Sequence, residues 1–330
     1  MTDRNLSIAA RPRRFHDLIG QREIIHQIRG QIASGRLPAA WLFAGPSGVG
    51  KTTLAKIVAL SLQCRHQKKF GNPCSDCMRN LAAFDIVEIN AAEASGIDET
   101  EGVISGAFFT PRPPSRYRVY LFDEAQGLSA ASQRALLKYF EESPRTTVWM
   151  ICTTEPEKIS LTLRRRCISY NIPGLKQDRV GELVSRLIKN SGQKADAEDL
   201  SDRLRRFGVT SPGWITMAVE KYLAGESAEK AAQVGRETAT DTLKLCRAAI
   251  SGDWDVVRGV LAKANPNEAR AIRASVAGYF RAVLLRAEEE SKARRAAEAV
   301  ETLAKVSVYE DGLQFSALAS ALFSICRKFH

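Results

Sequence analysis

Gly45-Pro46-Ser47-Gly48-Val49-Gly50-Lys51-Thr52 narrows the possible folds of this chain more than any other stretch. Its glycines let the backbone curl until successive N–H groups point into one concavity. The helix start that follows adds its positive end, so the site attracts phosphate oxygens. Lys51 would reach the β- and γ-phosphates of a nucleotide, and the Thr52 hydroxyl would ligate magnesium. The flanks have the form such a loop requires. Ala40-Trp41-Leu42-Phe43-Ala44 is an apolar strand candidate, and Thr53 to Leu60 carries helical apolar spacing. The candidate nucleotide contacts are therefore Gly45, Pro46, Ser47, Gly48, Val49, Gly50, Lys51, Thr52 and Thr53.

The surrounding pattern predicts an α/β core. Gln21 to Ser34 reads as an amphipathic helix with Ile24, Ile28 and Ile32 on one stripe and Gly35 as its stop. Strands are expected at 84–90, 118–122, 147–152 and 167–172. A helix is expected over 96–108, and a second runs from an N-cap at Ser129 through Glu142. Strands alternating with helices imply a parallel sheet covered on both faces. Beyond Gly174 no strand candidate follows, and alanine, arginine and leucine at helical spacing run to the end. Ala224-Gly225-Glu226-Ser227 reads as a hinge between two helical sets.

Composition bounds the function. The 330 residues, 45% hydrophobic, suffice for two or three domains, and the net charge of +11 favours an acidic partner such as nucleic acid. No apolar stretch approaches the ~20 residues of a membrane span, and the N-terminus lacks the apolar core of a signal peptide, so no membrane partner and a cytoplasmic location are expected. Seven cysteines, an odd number, then point to metal binding or burial rather than to a disulfide framework. The basic run from Arg286 to Arg295 reads as a solvated helix face.

A second acidic motif extends the chemistry from binding to hydrolysis. Val119-Tyr120-Leu121-Phe122 ends in Asp123-Glu124, and in open parallel sheets ligands lie at the carboxyl ends of strands. Asp123 would hold the magnesium shell and Glu124 would polarise the attacking water. Thr153-Thr154 ends the next strand, where a hydroxyl can orient that water or sense the γ-phosphate. Arg164-Arg165-Arg166 precedes the last strand, too far along the sheet to serve the same loop. It is expected to stabilise charge on a phosphoryl group held by a neighbouring subunit.

With these residues in view, the first 220 or so resemble the clamp-loader ATPases of the AAA+ class: the bacterial gamma/tau and delta-prime subunits and the small subunits of replication factor C. The resemblance rests on Arg11-Pro12-Arg13-Arg14-Phe15 with Leu18-Ile19-Gly20-Gln21, the phosphate loop, Phe122-Asp123-Glu124-Ala125-Gln126, Ala135-Leu136-Leu137-Lys138 with Glu141-Glu142, Thr153-Thr154-Glu155-Pro156 and Arg165-Arg166-Cys167. It implies an AAA+ P-loop NTPase core over 1–174, a small helical lid over 175–228 and an all-helical oligomerisation collar over 229–330. It further implies that Arg11, Pro12, Ile19 and Gly20 lie near the adenine, that Thr154 is the first sensor, and that Arg166 is the finger acting in trans. The implied cofactors are ATP and Mg2+. The implied partners are a sliding clamp, primer-template DNA and companion subunits, in a homo- or hetero-oligomer that would be a five-subunit ring. The implied activity is ATP hydrolysis that drives placement of the clamp on DNA.

Several positions depart from the family pattern. Arg165 stands where the family has serine, so either arginine could be the finger. Ser211-Pro212-Gly213-Trp214 occupies the place of a second sensor arginine, and Gly213 has no side chain to touch a phosphate; in this segment the chain resembles delta-prime. Cys64, Cys74 and Cys77 fall where bacterial relatives carry a four-cysteine zinc module, with His66 as the available fourth ligand. Cys152, Cys246 and Cys326 lie in apolar runs and read as core thiols. Asn90 to Glu101 matches a segment facing the DNA backbone but carries Ser95 and Glu101 where relatives are basic. The alternatives are a structural subunit that presents Arg166 with little turnover of its own, and another AAA+ machine on DNA such as a branch-migration motor.

Overall fold

The computed structural model of the protein describes residues 6–64, 66, 72–79, 84–91, 93, 97–234, 237–262, 264, 269–287, 289–305 and 314–329. The chain divides into two compact units, Met1–Ala232 and Gln233–His330.

In the first unit, helix α1 (Arg22–Ser34) leads to β1 (Ala40–Ala44), the phosphate loop and α2 (Lys51–Gln63). Then come β2 (Ile86–Asn90), α3 (Ile97–Ile104), β3 (Arg118–Asp123), α4 (Ala130–Glu142), β4 (Thr147–Thr153) and β5 (Cys167–Asn171). All five strands are parallel, in the order β2-β3-β4-β1-β5. Alternating side chains send the two faces of each strand into different cores. Trp41 and Phe43 of β1 join Leu54, Ile57 and Val58 of α2 and Ile28 of α1 on one face. Leu42 joins Tyr120, Trp149, Leu136 and Phe140 on the other. There the Trp149 ring stacks on Tyr120 at 4.7 Å and on Phe140 at 5.1 Å between centroids. The buried Arg118 guanidinium at the start of β3 pairs with Asp85 at 2.8 Å, which fixes β3 to the segment entering β2.

Local signals mark the element ends. Gly35 closes α1 in a left-handed conformation, and the Ser129 hydroxyl accepts from the Ser132 N–H to start α4. The predicted strand 84–90 begins two residues later, at Ile86. The predicted helix 96–108 is α3 plus a tighter 3-10 turn at Ser105–Phe108, with Gly96 outside the described residues.

Three longer helices follow in this unit: α5 (Gln177–Ser191), α6 (Ala197–Arg206) and α7 (Pro212–Leu223). They are tied to the sheet region through the Leu175 N–H, which donates to the Thr210 carbonyl at 2.8 Å. The second unit contains α8 (Glu237–Ile250), α9 (Trp254–Leu261), α10 (Ala269–Arg286), α11 (Glu290–Lys305) and α12 (Gln314–Phe329). Its own core is built from Leu245, Val257, Val276, Phe280, Leu303, Leu318, Leu322 and Ile325. Among the described residues it contains no strand.

Candidate nucleotide site

The loop between β1 and α2 curls as its spelling requires. Gly50, the residue before α2, is left-handed at φ 98°, a conformation that side-chain-bearing residues rarely adopt. Lys51 follows and is only 6% exposed. Its ammonium donates to the carbonyls of Gly45 and Pro46, each at 2.9 Å, so the lysine is folded back over the loop it would serve. Burial lowers the Lys51 pKa, and Glu124, Cys152 and Asp123 oppose that shift. A phosphate would replace the two carbonyls with a charge-assisted partner.

The register of the sheet delivers the acids. Parallel strands end together, and Asp123 closes β3 while β4, which lies between β3 and β1, ends at Thr153. The Thr52 hydroxyl lies 2.9 Å from both carboxylate oxygens of Asp123. A hydroxyl and a carboxylate held this close present hard oxygen ligands of the kind magnesium takes. The Glu124 N–H donates to Asp123 Oδ1 at 3.1 Å, and Glu124 itself is left-handed at φ 49°. An outlier of this kind in a non-glycine residue is characteristic of functional sites. Of the two threonines, Thr153 is fully buried, and its hydroxyl donates to Gln126 Oε1 at 2.9 Å. Thr154 is half-buried, and its N–H donates to the same oxygen at 3.3 Å.

The residues ahead of α1 approach the loop in part. Gln21, itself left-handed, donates through Nε2 to the carbonyls of Val49 and Pro173, both at 3.4 Å, which places Ile19 and Gly20 beside the loop. Farther back, Phe15 is buried in the same core as Val49, while Arg11 is exposed and Pro12 half-buried. Gln21 was legible in the sequence only as a motif letter. Its left-handed backbone gives no sequence signal, because a glutamine there breaks the usual preference for glycine.

The lid side of the loop is made by uncharged groups, one from the backbone and one a hydroxyl. The Gly213 N–H donates to the Gly48 carbonyl at 2.9 Å, and the Ser211 hydroxyl donates to the Ser47 carbonyl at 3.1 Å. A Cβ on Gly213 would lie 3.1 Å from Gly48 Cα and 3.3 Å from its carbonyl oxygen, so glycine is what lets the first turn of α7 rest on the loop. The second-sensor position is thus filled by close contact and carries no cation.

Arg166 stands elsewhere. Cys167, the residue after it, pairs with Ala40 at the start of β1, whereas the phosphate loop leaves the other end of that strand. Four residues of strand put about 13 Å between these ends. Both Arg165 and Arg166 are exposed, and Arg166 pairs with Glu141. Neither arginine is brought to the phosphate loop of its own chain.

Cys64, His66, Cys74 and Cys77 come together away from the loop, their ligand atoms all within 4.8 Å of one another. The His66 Nδ1 lies 3.7 Å from Cys74 Sγ and 3.6 Å from Cys77 Sγ. Tetrahedral zinc with ordinary bond lengths gives a sulfur–nitrogen edge of about 3.6 Å, so the donor set fits that ion. The Cys77 N–H donates to Cys74 Sγ, and this bond chiefly lowers the Cys74 pKa to about 7, while burial pushes Cys77 up to about 12. The same segment anchors the N-terminal arm. Asn72 Oδ1 accepts from the Phe15 N–H at 2.9 Å, and Ser75 Oγ accepts from Arg14 at 2.8 Å. Cys152, Cys246 and Cys326 are buried, as core thiols should be. Of the stretch Asn90 to Glu101, positions 92 and 94–96 lie outside the described residues.

With this geometry in place, known proteins of similar sequence and fold can be set beside it. Residues 20–176 match the family model described as DNA polymerase III, delta subunit. The core is similar to clamp-loader subunits of this kind. Over 195 residues the chain is 34% identical to DNA polymerase III subunit gamma of Buchnera aphidicola, covering 58% of this chain and 53% of that one. Over 222 residues it is 34% identical to subunit gamma/tau of Mycobacterium tuberculosis, covering 65% and 38%. Over 183 residues it is 30% identical to subunit tau of Escherichia coli, covering 54% and 28%. The chain thus spans about half the length of these relatives or less. Among solved structures, a point mutant of Thermotoga maritima RuvB superposes with a TM-score of 0.54 at 14% identity, covering 81% of this chain and 85% of that one. That likeness supports the fold of the core and nothing finer. Among the described residues no helix is long and apolar enough to cross a membrane.

Proposed function

We propose that this chain is an ATP-binding and ATP-hydrolysing subunit of a sliding-clamp loader, acting in DNA replication with companion subunits in a ring. The observation that carries the reading is the joint placement of Lys51, Thr52, Asp123 and Glu124 around one loop, with the Thr52 hydroxyl 2.9 Å from Asp123. Lys51 and the loop amides, from Gly45 through Thr53, would hold the phosphates, and Ile19 and Gly20, with Arg11 and Pro12 before them, would border the adenine. Thr52 and Asp123 would carry Mg2+, which supplies charge neutralisation on the phosphates. Glu124 would take a proton from the attacking water, and Thr154 would sense the γ-phosphate. Arg166 would reach the nucleotide of a neighbouring subunit. In this reading residues 1–174 are the core, 175–228 the lid and 229–330 an oligomerising collar. Zn2+ at Cys64, His66, Cys74 and Cys77 would brace the arm that carries Arg14 and Phe15. The polymerase III names of the relatives support a sliding clamp and primer-template DNA as the partners.

Steady-state ATP turnover of the chain with candidate companion subunits is the test. Stimulation by clamp plus primed DNA is expected, and no response to the two together would remove the loader assignment. A second reading, a structural subunit with little turnover, is favoured by one observation, the glycine in place of a cation where α7 meets the loop. Tight ATP binding with no turnover in any assembly would select it.

A further inference from the structure

Between the acids of β3 and helix α4 the chain makes a 3-10 turn, Ala125–Gly127, whose central side chain uses both ends of its amide. Gln126 Nε2 donates to Glu124 Oε2 at 2.5 Å, and Gln126 Oε1 accepts from the Thr153 hydroxyl at 2.9 Å and from the Thr154 N–H at 3.3 Å. The orientation of that amide is chemically forced. An ionised carboxylate only accepts and a backbone N–H only donates, so the nitrogen must face Glu124 and the oxygen must face Thr154. The Glu155 N–H donates in turn to the Thr153 hydroxyl at 3.1 Å, which fixes that rotor from the other side. The candidate general base is therefore connected to the end of β4 by one side chain, and the left-handed backbone at Glu124 supplies the turn that lets Gln126 reach back to it.

We propose that Gln126 is a positioning residue for hydrolysis: it aims the Glu124 carboxylate and couples it to the γ-phosphate-sensing end of β4. The proposal rests on the reading of Glu124 as the base. A carboxylate with one oxygen held by a fixed donor keeps its other oxygen free for water, and movement of Thr153-Thr154 on meeting a phosphate would be transmitted through the amide to the base. The coupling runs through hydrogen bonds alone, so a side chain of similar length without them should bind nucleotide normally and hydrolyse it slowly.

Two substitutions separate aiming from support. Gln126→Met keeps the length and removes both bonds. It should lower kcat roughly tenfold while KM and the affinity for a non-hydrolysable ATP analogue stay within about twofold. Gln126→Glu keeps an acceptor toward Thr154 but sets a second carboxylate against Glu124, and it should move the acidic limb of the kcat–pH profile upward by about one unit. In a Glu124→Gln background, Gln126→Met should cost nothing further, because residues acting through one group are non-additive. Turnover that depends on Glu124 but is indifferent to Gln126→Met overturns the proposal alone, as does a loss in which analogue affinity and kcat fall together with the pH limb unmoved. Absence of wild-type turnover, or its persistence in Glu124→Gln, overturns the base assignment and the proposal with it.

Discussion

The two sides of the phosphate loop are built differently. On the strand-end side lie side chains with chemistry to offer: Lys51 over the loop, Thr52 on Asp123, and Gln126 between Glu124 and Thr153. On the lid side the loop meets Gly213 and Ser211, which satisfy the carbonyls of Gly48 and Ser47 and carry no charge. The first side offers groups suited to phosphate and metal, and the second meets the loop through uncharged donors. Binding and bond cleavage should therefore be separable here, with cleavage governed from the strand ends and affinity shared with the lid.

The comparison can be broken most forcefully at Lys51. Lys51→Ala removes the buried cation over the loop, and ATP affinity by calorimetry is expected to fall by two orders of magnitude or so, about 3 kcal/mol. Affinity within a few-fold of wild type would mean that the loop does not hold the phosphates. Arg166→Ala comes next. Turnover of the assembly should drop by roughly 10³-fold, with ATP affinity of the isolated chain unchanged. Mixing with subunits whose own loop is dead should restore turnover only when those subunits keep Arg166. If Arg165→Ala gives the larger loss, the finger is the earlier arginine.

Smaller effects sharpen the contrast. Gly213→Ala places a methyl against the Gly48 backbone, and repacking costs of this kind run to about 1–3 kcal/mol. The expected outcome is a lowered melting temperature and a faster off-rate for nucleotide, with kcat preserved in saturating ATP; an unchanged melting temperature would show that the helix does not rest on the loop. At the cysteine cluster, metal analysis is expected to find one equivalent of zinc, and Cys77→Ser should abolish it and loosen the arm around Phe15, read as faster hydrogen exchange there. Equal exchange with and without metal would detach the cluster from the arm.

How much of this was legible in the sequence depended on range. The strand, loop and helix around Lys51 announce themselves locally, through apolar runs and glycines, and so do the Ser129 cap and the Gly35 stop. The pairing of Thr52 with Asp123 follows once the sheet is known to be parallel, since strand ends then converge. The strand order, with β4 between the two motif-bearing strands, depends on which faces pack, and no residue spells it. The bond from Gln126 to Thr153 and the contact of Gly213 on Gly48 join positions far apart in sequence whose residue types are common in turns and helix starts, so they emerge only from the folded chain. The distance between Arg166 and its own loop lies between these cases: sequence order suggested it, and the register of β5 on β1 made it geometric.

The measurement closest to the central claim is paired binding and turnover in Glu124→Gln, made in the assembly that shows the highest wild-type rate. ATP affinity should match the wild type within about twofold, while turnover falls by at least roughly 10²-fold. Turnover that survives the substitution, or affinity that collapses with it, would contradict the division of labour between the strand ends and the lid.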